Sequence, residues 1–227
     1  MVKSFRFLLS YSWVNLGAVF GFAAIVIVGC YITGVPGNPN VGNLFETYYA
    51  MFPTMILLIL FLYAFALCTN NLNMGLSMGA KRTDFFWAVQ GNMAFYTVVC
   101  WALYWFMSAF PAIANWEVRE RWSLLGTYSG KLWLYPMLCM TMLVLGCLSG
   151  LVMVKNKILG TLLVILSIFA MMGITVFMLL SADTNLMDFL VDSIWNDLPK
   201  VMVGILAAAF VGGELLIWRV IQRYVVR

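Results

Sequence analysis

Long stretches without a charged residue dominate this sequence. No Asp, Glu, Lys or Arg occurs between Arg6 and Glu46, or between Lys157 and Asp183. A helix needs about 20 consecutive, mostly apolar residues to cross the hydrocarbon core of a bilayer. Six segments of the chain meet this requirement, at 12–32, 49–68, 85–112, 132–154, 158–181 and 201–220. The sequence therefore predicts an all-α polytopic membrane protein, with residues 1–227 forming a single transmembrane domain.

The composition excludes several classes of function. The chain is 64% hydrophobic and 10% charged, whereas soluble domains carry about a quarter charged residues. The spans use nearly all of the 227 residues, so no segment is long enough for a soluble catalytic or nucleotide-binding domain. The net charge of +4 comes from thinly spread basic residues without the clustering of a phosphate-binding surface, so we expect no nucleic-acid binding.

The distribution of Lys and Arg predicts the orientation. With the N-terminus in the cytoplasm, nine of the 13 basic residues lie inside: Lys3, Arg6, Lys81, Arg82, Lys155, Lys157, Arg219, Arg223 and Arg227. The other four lie outside: Arg119, Arg121, Lys131 and Lys200. By the positive-inside rule, both termini are expected to be cytoplasmic, and residues 115–131 form an outer loop.

Catalytic signatures are missing from the sequence. Histidine is absent, which removes the commonest general base and the commonest metal ligand. The run from Gly75 to Arg82 lacks the Gly before, and the Ser or Thr after, the lysine of a phosphate-binding loop. Ser149, which lies in a Gly-rich stretch, has no histidine base. We expect no enzyme activity, no metal site, and free structural thiols at the five cysteines.

A polar interruption at residues 70–84 separates the second and third apolar runs. Asn70 or Asn71 can cap a short helix, and Gly79 suits the left-handed position just past its end. Thr83 and Asp84 then begin the next helix. The segment is expected to be a cytosolic loop whose short helix lies parallel to the membrane. The alternative is an ordinary loop whose basic residues only set topology.

Apolar residues four apart define the expected short helix. Leu72 stacks with Leu76, and Met74 stacks with Met78. Such a helix, beside a basic pair, offers a protruding element that another protein could push or pull. The residues assigned to this contact are Asn71, Leu72, Asn73, Met74, Gly75, Leu76, Ser77, Met78, Gly79, Lys81 and Arg82.

Two further amphipathic segments flank the spans. Residues 1–10 suit a short helix in the inner membrane interface, although a plain basic flank is equally compatible. Residues 182–200 alternate acidic and apolar side chains and include Pro199, which is expected to start the last span. They are interpreted either as an outer lid over a pathway or as a solvated loop anchoring two helix ends. The residues assigned to the lid are Asp188, Phe189, Asp192 and Trp195.

Polar and small residues inside the spans predict helix contacts. Glu214 would cost roughly 2.5–3.5 kcal/mol if it faced lipid, so it must face protein, water or a basic partner. We expect a structural role for it, with a proton relay as the alternative. Gln90 and Asn92 are possible hydrogen-bonding partners within the bundle. Small residues four apart, which allow close helix approach within or between subunits, occur at Gly17 with Gly21 and at Gly146 with Gly150.

The run from Met78 to Phe86, together with the six spans and the acidic outer segment, resembles a known family. It is similar to the permease subunit of bacterial type-2 ABC exporters of the type V fold, which carry a Gly, basic and Phe-Phe pattern after their coupling helix. The resemblance implies a dimer of permeases, identical or different, in the bacterial cytoplasmic membrane. Each would rest a coupling helix on a separate ATPase subunit that binds ATP and magnesium.

The resemblance further implies that residues 72–78 are the coupling helix and that residues 182–200 gate the exit. Small permeases of this kind export peptides, including toxins and antimicrobial peptides, or confer immunity against them, and others move lipids or drugs. Two alternatives remain open. The chain could be a six-span substrate-binding subunit of a vitamin-uptake transporter, or a membrane enzyme for which the sequence provides little chemistry.

Overall fold

All regular structure in the described part of the chain is helical. The computed structural model describes residues 2–32, 44–77, 79, 81–113, 134–181 and 198–223. The α-helices are α1 Val2–Ile32, α2 Leu44–Ala66, α3 Leu72–Ser77, α4 Arg82–Ile113, α5 Leu134–Lys155, α6 Lys157–Ser181 and α7 Leu198–Arg223. A π-helical segment, Leu67–Asn71, joins α2 to α3. The predicted all-α class is confirmed for these residues.

The lengths and compositions of the helices are those of membrane-spanning segments. Among the described residues, five stretches are long and apolar enough to cross a bilayer: Leu8–Ile32, Met51–Ser77, Arg82–Phe110, Tyr135–Lys155 and Gly204–Arg223. Within α6, Lys157–Gly173 forms a shorter apolar helical stretch. The fold is therefore consistent with a multi-pass helical membrane protein. The cytoplasmic location of the termini stays a prediction.

The first helix includes residues that the sequence assigned to the inner membrane interface. Helix α1 runs without interruption from Val2 to Ile32. No proline interrupts this stretch, and Leu8 and Ser12 are fully buried in the helix bundle. Their burial extends the packed face of α1 toward the N-terminus. The location of residues 2–10 in the membrane interface stays a prediction.

Helix α5 lies at the centre of the bundle. It has its most extensive interface with α2 and also packs against α4, α6, α7 and the π segment. Two glycines allow the approach to α2: a Cβ atom on Gly150 would lie 2.8 Å from the carbonyl oxygen of Phe65, and one on Gly146 would overlap the carbonyl oxygen of Phe61. This pair of small residues is therefore used for packing within the chain.

The outer helices contact fewer neighbours. Helix α1 packs against α2 and α4, and α6 packs mainly against α5. The link between α5 and α6 is the single residue Asn156, whose Oδ1 accepts the backbone N–H of Ile158 at 3.1 Å and so caps α6. Gly160 then lies directly against the backbone of Met153. Helices α5 and α6 therefore form a tight hairpin.

Candidate functional site at the elbow after α2

The segment assigned to partner contact is a continuation of α2. The π segment carries the helix from Ala66 directly into α3, and Leu72 has helical dihedral angles of φ −62° and ψ −52°. Asn70 and Asn71 therefore lie inside a helix, and the prediction that one of them caps a new helix is wrong. A cap satisfies the free backbone N–H groups of a first turn, and here the preceding turn already supplies their carbonyl partners. We call residues 67–77, 79, 81 and 82 the elbow.

Helix α3 has one packed face and one free face. Leu72 is completely buried, and Leu76 packs against the hydrophobic core. Gly75 lies against the ring of Phe85 in α4, since a Cβ atom at position 75 would come within 2.8 Å of that ring. Met74, by contrast, is 48% exposed. Helix α3 is thus packed against the bundle on one side, and Met74 is exposed on the other.

A glycine ends α3. Gly79 has φ +82°, and its N–H donates to the carbonyl of Leu76 at 3.1 Å. This confirms the left-handed position predicted for Gly79. Helix α4 begins at Arg82, with Asp84 in its first turn, where the helix dipole favours a negative charge. Lys81 and Arg82, which follow α3 in the chain, are both exposed.

Three contacts join the first part of α4 to the last part of α7. The pairs are Arg82 with Gln222, Phe86 with Trp218, and Gln90 with Glu214. Successive positions are four apart on both helices and run in opposite directions, so the pairs follow one stripe of two antiparallel helices. We call these pairs the α4–α7 ladder. It connects the end of the elbow to α7.

The rungs of the ladder differ in chemistry. The guanidinium of Arg82 donates to the carbonyl oxygen of Gln222 at 2.9 Å, in the last turn of α7, where a cation is favoured by the helix dipole. The rings of Phe86 and Trp218 meet edge to face at a centroid distance of 4.8 Å. A cation, an aromatic pair and a polar pair thus hold the same two helices together.

The polar rung brings together two residues that the sequence singled out. Nε2 of Gln90 donates a hydrogen bond to Oε2 of Glu214. Oε1 of Glu214 is buried and has no hydrogen-bond partner among the described residues. The carboxyl group therefore faces protein on at least one side. Whether it carries a proton relay stays a prediction.

Asn92, the third polar residue, belongs to a buried cluster elsewhere in the bundle. Its Nδ2 donates to the hydroxyl of Tyr63, and its Oδ1 lies 3.2 Å from Ser12 Oγ. The Tyr63 and Ser12 hydroxyls are 2.8 Å apart, and Tyr96 stacks on Tyr63 while donating to the backbone carbonyl of Ser12 at 2.6 Å. The cluster ties α1, α2 and α4 together. Sequence reasoning missed both tyrosines, although a buried phenol regularly requires a hydrogen-bond partner.

Part of the predicted site lies outside the described residues. This applies to Met78, to the side chain of Asn73, and to the outer segment through residue 197, which contains Asp188, Phe189, Asp192 and Trp195. Helix α7 begins at Leu198, so Pro199 lies in its first turn, as predicted.

Comparisons with known proteins place the chain in no family. No protein-family model, no curated protein and no solved structure matches it.

Proposed function

We propose that the chain is the membrane-spanning permease subunit of an ATP-driven ABC exporter in the bacterial cytoplasmic membrane. In this proposal it works with a separate ABC ATPase, which binds ATP and magnesium, and with a second permease subunit. The cargo is an amphipathic peptide, such as a toxin or an antimicrobial peptide. The chain itself performs transport and no catalysis.

The observation that carries the proposal is the construction of the elbow. Its inner face is held by Leu72 in the core and by Gly75 against Phe85, while Met74 is exposed. A subunit that borrows the work of ATP hydrolysis needs such an element, fixed to the bundle on one side and accessible on the other. The resemblance of the run from Met78 to Phe86 to exporter permeases supports the same role.

The contacts of the elbow supply a route for movement. Displacement of α3 presses on Phe85 and so on the start of α4. Arg82 and the rest of the α4–α7 ladder connect that part of α4 to α7. Because packed side chains transmit displacement between helices, an ATPase acting on α3 moves α4 and α7 together.

Binding of the ATPase tests the proposal. The chain is co-expressed with a candidate ABC ATPase from the same genome and purified in detergent, as wild type and as Met74→Asp. Because Met74 is exposed, the substitution leaves the core intact and places a charge on the free face. We expect the wild type to retain the ATPase and the variant to lose it.

The matched control is Ile158→Asp, which places the same charge on a residue that is 78% exposed at the link between α5 and α6. It should retain the ATPase. The proposal is wrong if folded Met74→Asp binds the ATPase as well as the wild type does. A wild-type chain that purifies as a monomer with a tightly bound small molecule would instead favour a substrate-binding subunit of a vitamin-uptake transporter.

A further inference from the structure

Two cysteines far apart in the sequence meet inside the bundle. The Sγ atoms of Cys68, in the π segment, and Cys147, in α5, are 2.7 Å apart. Both side chains are completely buried. Sequence spacing could not reveal this pair, because its members lie on different helices and 79 positions apart.

The close packing of α2 and α5 creates the contact. Gly146 and Gly150 flank Cys147, and a Cβ atom on Gly150 would lie 3.2 Å from Cβ of Cys68. The thiol of Cys147 also lies 3.6 Å from the carbonyl oxygen of Ala64. The backbone around both cysteines is therefore held by packing that does not depend on the sulfur atoms.

We propose that Cys68 and Cys147 form a dithiol that a peroxide oxidises to an intramolecular disulfide, which fastens the elbow to α5. A disulfide has an S–S length of about 2.0 Å and requires the two Cβ atoms to face each other. The two sulfur atoms are already within 2.7 Å, so little movement of the helices is needed.

The chemistry balances with hydrogen peroxide as the oxidant. The sulfur of one cysteine, deprotonated, attacks a peroxide oxygen; the O–O bond breaks, a sulfenic acid forms, and the departing hydroxide takes the thiol proton to become water. The second sulfur then attacks the sulfenic sulfur. The S–O bond breaks and the hydroxyl leaves as water with the second thiol proton. Two thiols are oxidised, one peroxide is reduced, and two waters are released.

The disulfide would join the segment that leads into α3, on which the ATPase of the proposed exporter acts, to the central helix of the bundle. Cys68 is the second residue of the π segment that leads into α3, and Cys147 lies on the central helix. Oxidation therefore limits the movement of the elbow. The formation of the bond does not depend on the exporter role, so its test uses the chain alone.

Thiol counting on the full chain tests the proposal. The reduced protein in detergent is exposed to hydrogen peroxide, unfolded in the presence of a maleimide, and examined by intact-mass and peptide mass spectrometry. We expect two of the five thiols to escape labelling, and a linked peptide containing Cys68 and Cys147 that dithiothreitol releases.

Matched variants test whether oxidation requires the short distance between Cys68 and Cys147 or occurs at any buried cysteine. Cys100 and Cys139 are also buried, on α4 and α5, so the double variant Cys100→Ser/Cys139→Ser should still form the linked peptide. Cys68→Ser and Cys147→Ser should each abolish it. The proposal is overturned if the folded wild type yields no Cys68–Cys147 peptide, or if the peptide forms to the same extent in chain unfolded before the peroxide is added.

Discussion

The glycines of α5 and α1 differ in whether an added methyl group would fit. The glycines of α5 leave no space for it, and those of α1 do. Gly146 and Gly150 touch the backbone of α2, so the space for a side chain is absent there. Gly17 and Gly21 have no atom within 4 Å of a built Cβ. Both pairs of glycines have the same spacing in the sequence. The rotation of each helix about its axis decides which pair faces a neighbouring helix.

Gly150→Ala should destabilise the protein by about 1–3 kcal/mol, the usual range for overpacking a tight core. The added Cβ would come within 2.8 Å of the carbonyl oxygen of Phe65, a backbone atom that cannot rotate away. Gly17→Ala is the control and should be neutral or slightly stabilising, because alanine favours the helix. Unfolding in detergent, followed by circular dichroism, measures both. Equal stability of the two variants would contradict the packing.

Tyr63→Phe should cost about 1–3 kcal/mol, since it leaves a buried donor, Nδ2 of Asn92, without its acceptor. Tyr31→Phe makes the same chemical change at a side chain that is 55% exposed, and should change stability little. The same unfolding measurement compares them. If Tyr31→Phe is the more destabilising of the two, the buried cluster does not have the role assigned to it.

At the scale of whole elements, hydropathy indicated where helices occur but not how they are joined. Long uncharged runs leave no alternative to helix in a bilayer, because every backbone group must be hydrogen-bonded internally. The start of α4 at Arg82 lies one residue from the start predicted at Thr83 and Asp84, whereas the continuity of α1 from Val2 into the first span was not predicted. The α4–α7 ladder depends on how each helix is rotated, which hydropathy does not encode.

The structure of the elbow, too, was predicted only in part. Its ending at Gly79 was predictable, because a glycine is favoured where φ is positive. The π segment was not, because Asn70 and Asn71 are typical of caps and turns as well. A helix that continues through two asparagines is favoured here by the burial of Leu67 and Leu72 against the bundle. Tertiary packing thus overrode the local preference.

The interaction energy between Gln90 and Glu214, the polar rung of the α4–α7 ladder, can be measured with a double-mutant cycle. Gln90→Leu leaves the carboxyl group of Glu214 without its donor, so it should be more destabilising than the double variant Gln90→Leu/Glu214→Leu. The interaction energy from the cycle should lie within about 0.5–3 kcal/mol, the range for residues in contact. Denaturant unfolding of the wild type, the two single variants and the double variant supplies it. Additive effects would show that the pair does not couple α4 to α7.

At the scale of the whole molecule, α5 organises the fold: α2, α4, α6 and α7 pack against it, and α1 packs on α2 and α4. The proposed orientation places the elbow and the α5–α6 link in the cytoplasm, following the excess of basic residues on that side. The same orientation places residues 115–131 outside. All five native cysteines are buried, so introduced cysteines can report on each side with little background.

When the chain is expressed without an ATPase, Asn156→Cys and Met74→Cys should react with a membrane-impermeant maleimide in inside-out vesicles and not in intact cells. Both positions are exposed in the structure. Ser123→Cys, in the predicted outer loop, is the control and should show the opposite pattern. Labelling of Asn156→Cys in intact cells would reverse the orientation and, with it, the side on which an ATPase could bind the elbow.

The π segment determines the direction in which α3 displays its side chains. Each residue of an α-helix advances the chain by about 100° around the axis, and a π turn holds one residue more than an α turn. The π turn therefore takes up one additional residue within the same full rotation, so deleting one residue of Leu67–Asn71 should restore an α turn and leave the facing of α3 unchanged. Inserting one further residue that no π turn takes up would instead turn α3 by about 100°, which would move Leu72 out of the core and Met74 away from its exposed position. The direction of the exposed face of α3 thus depends on the number of residues that this single π turn accommodates.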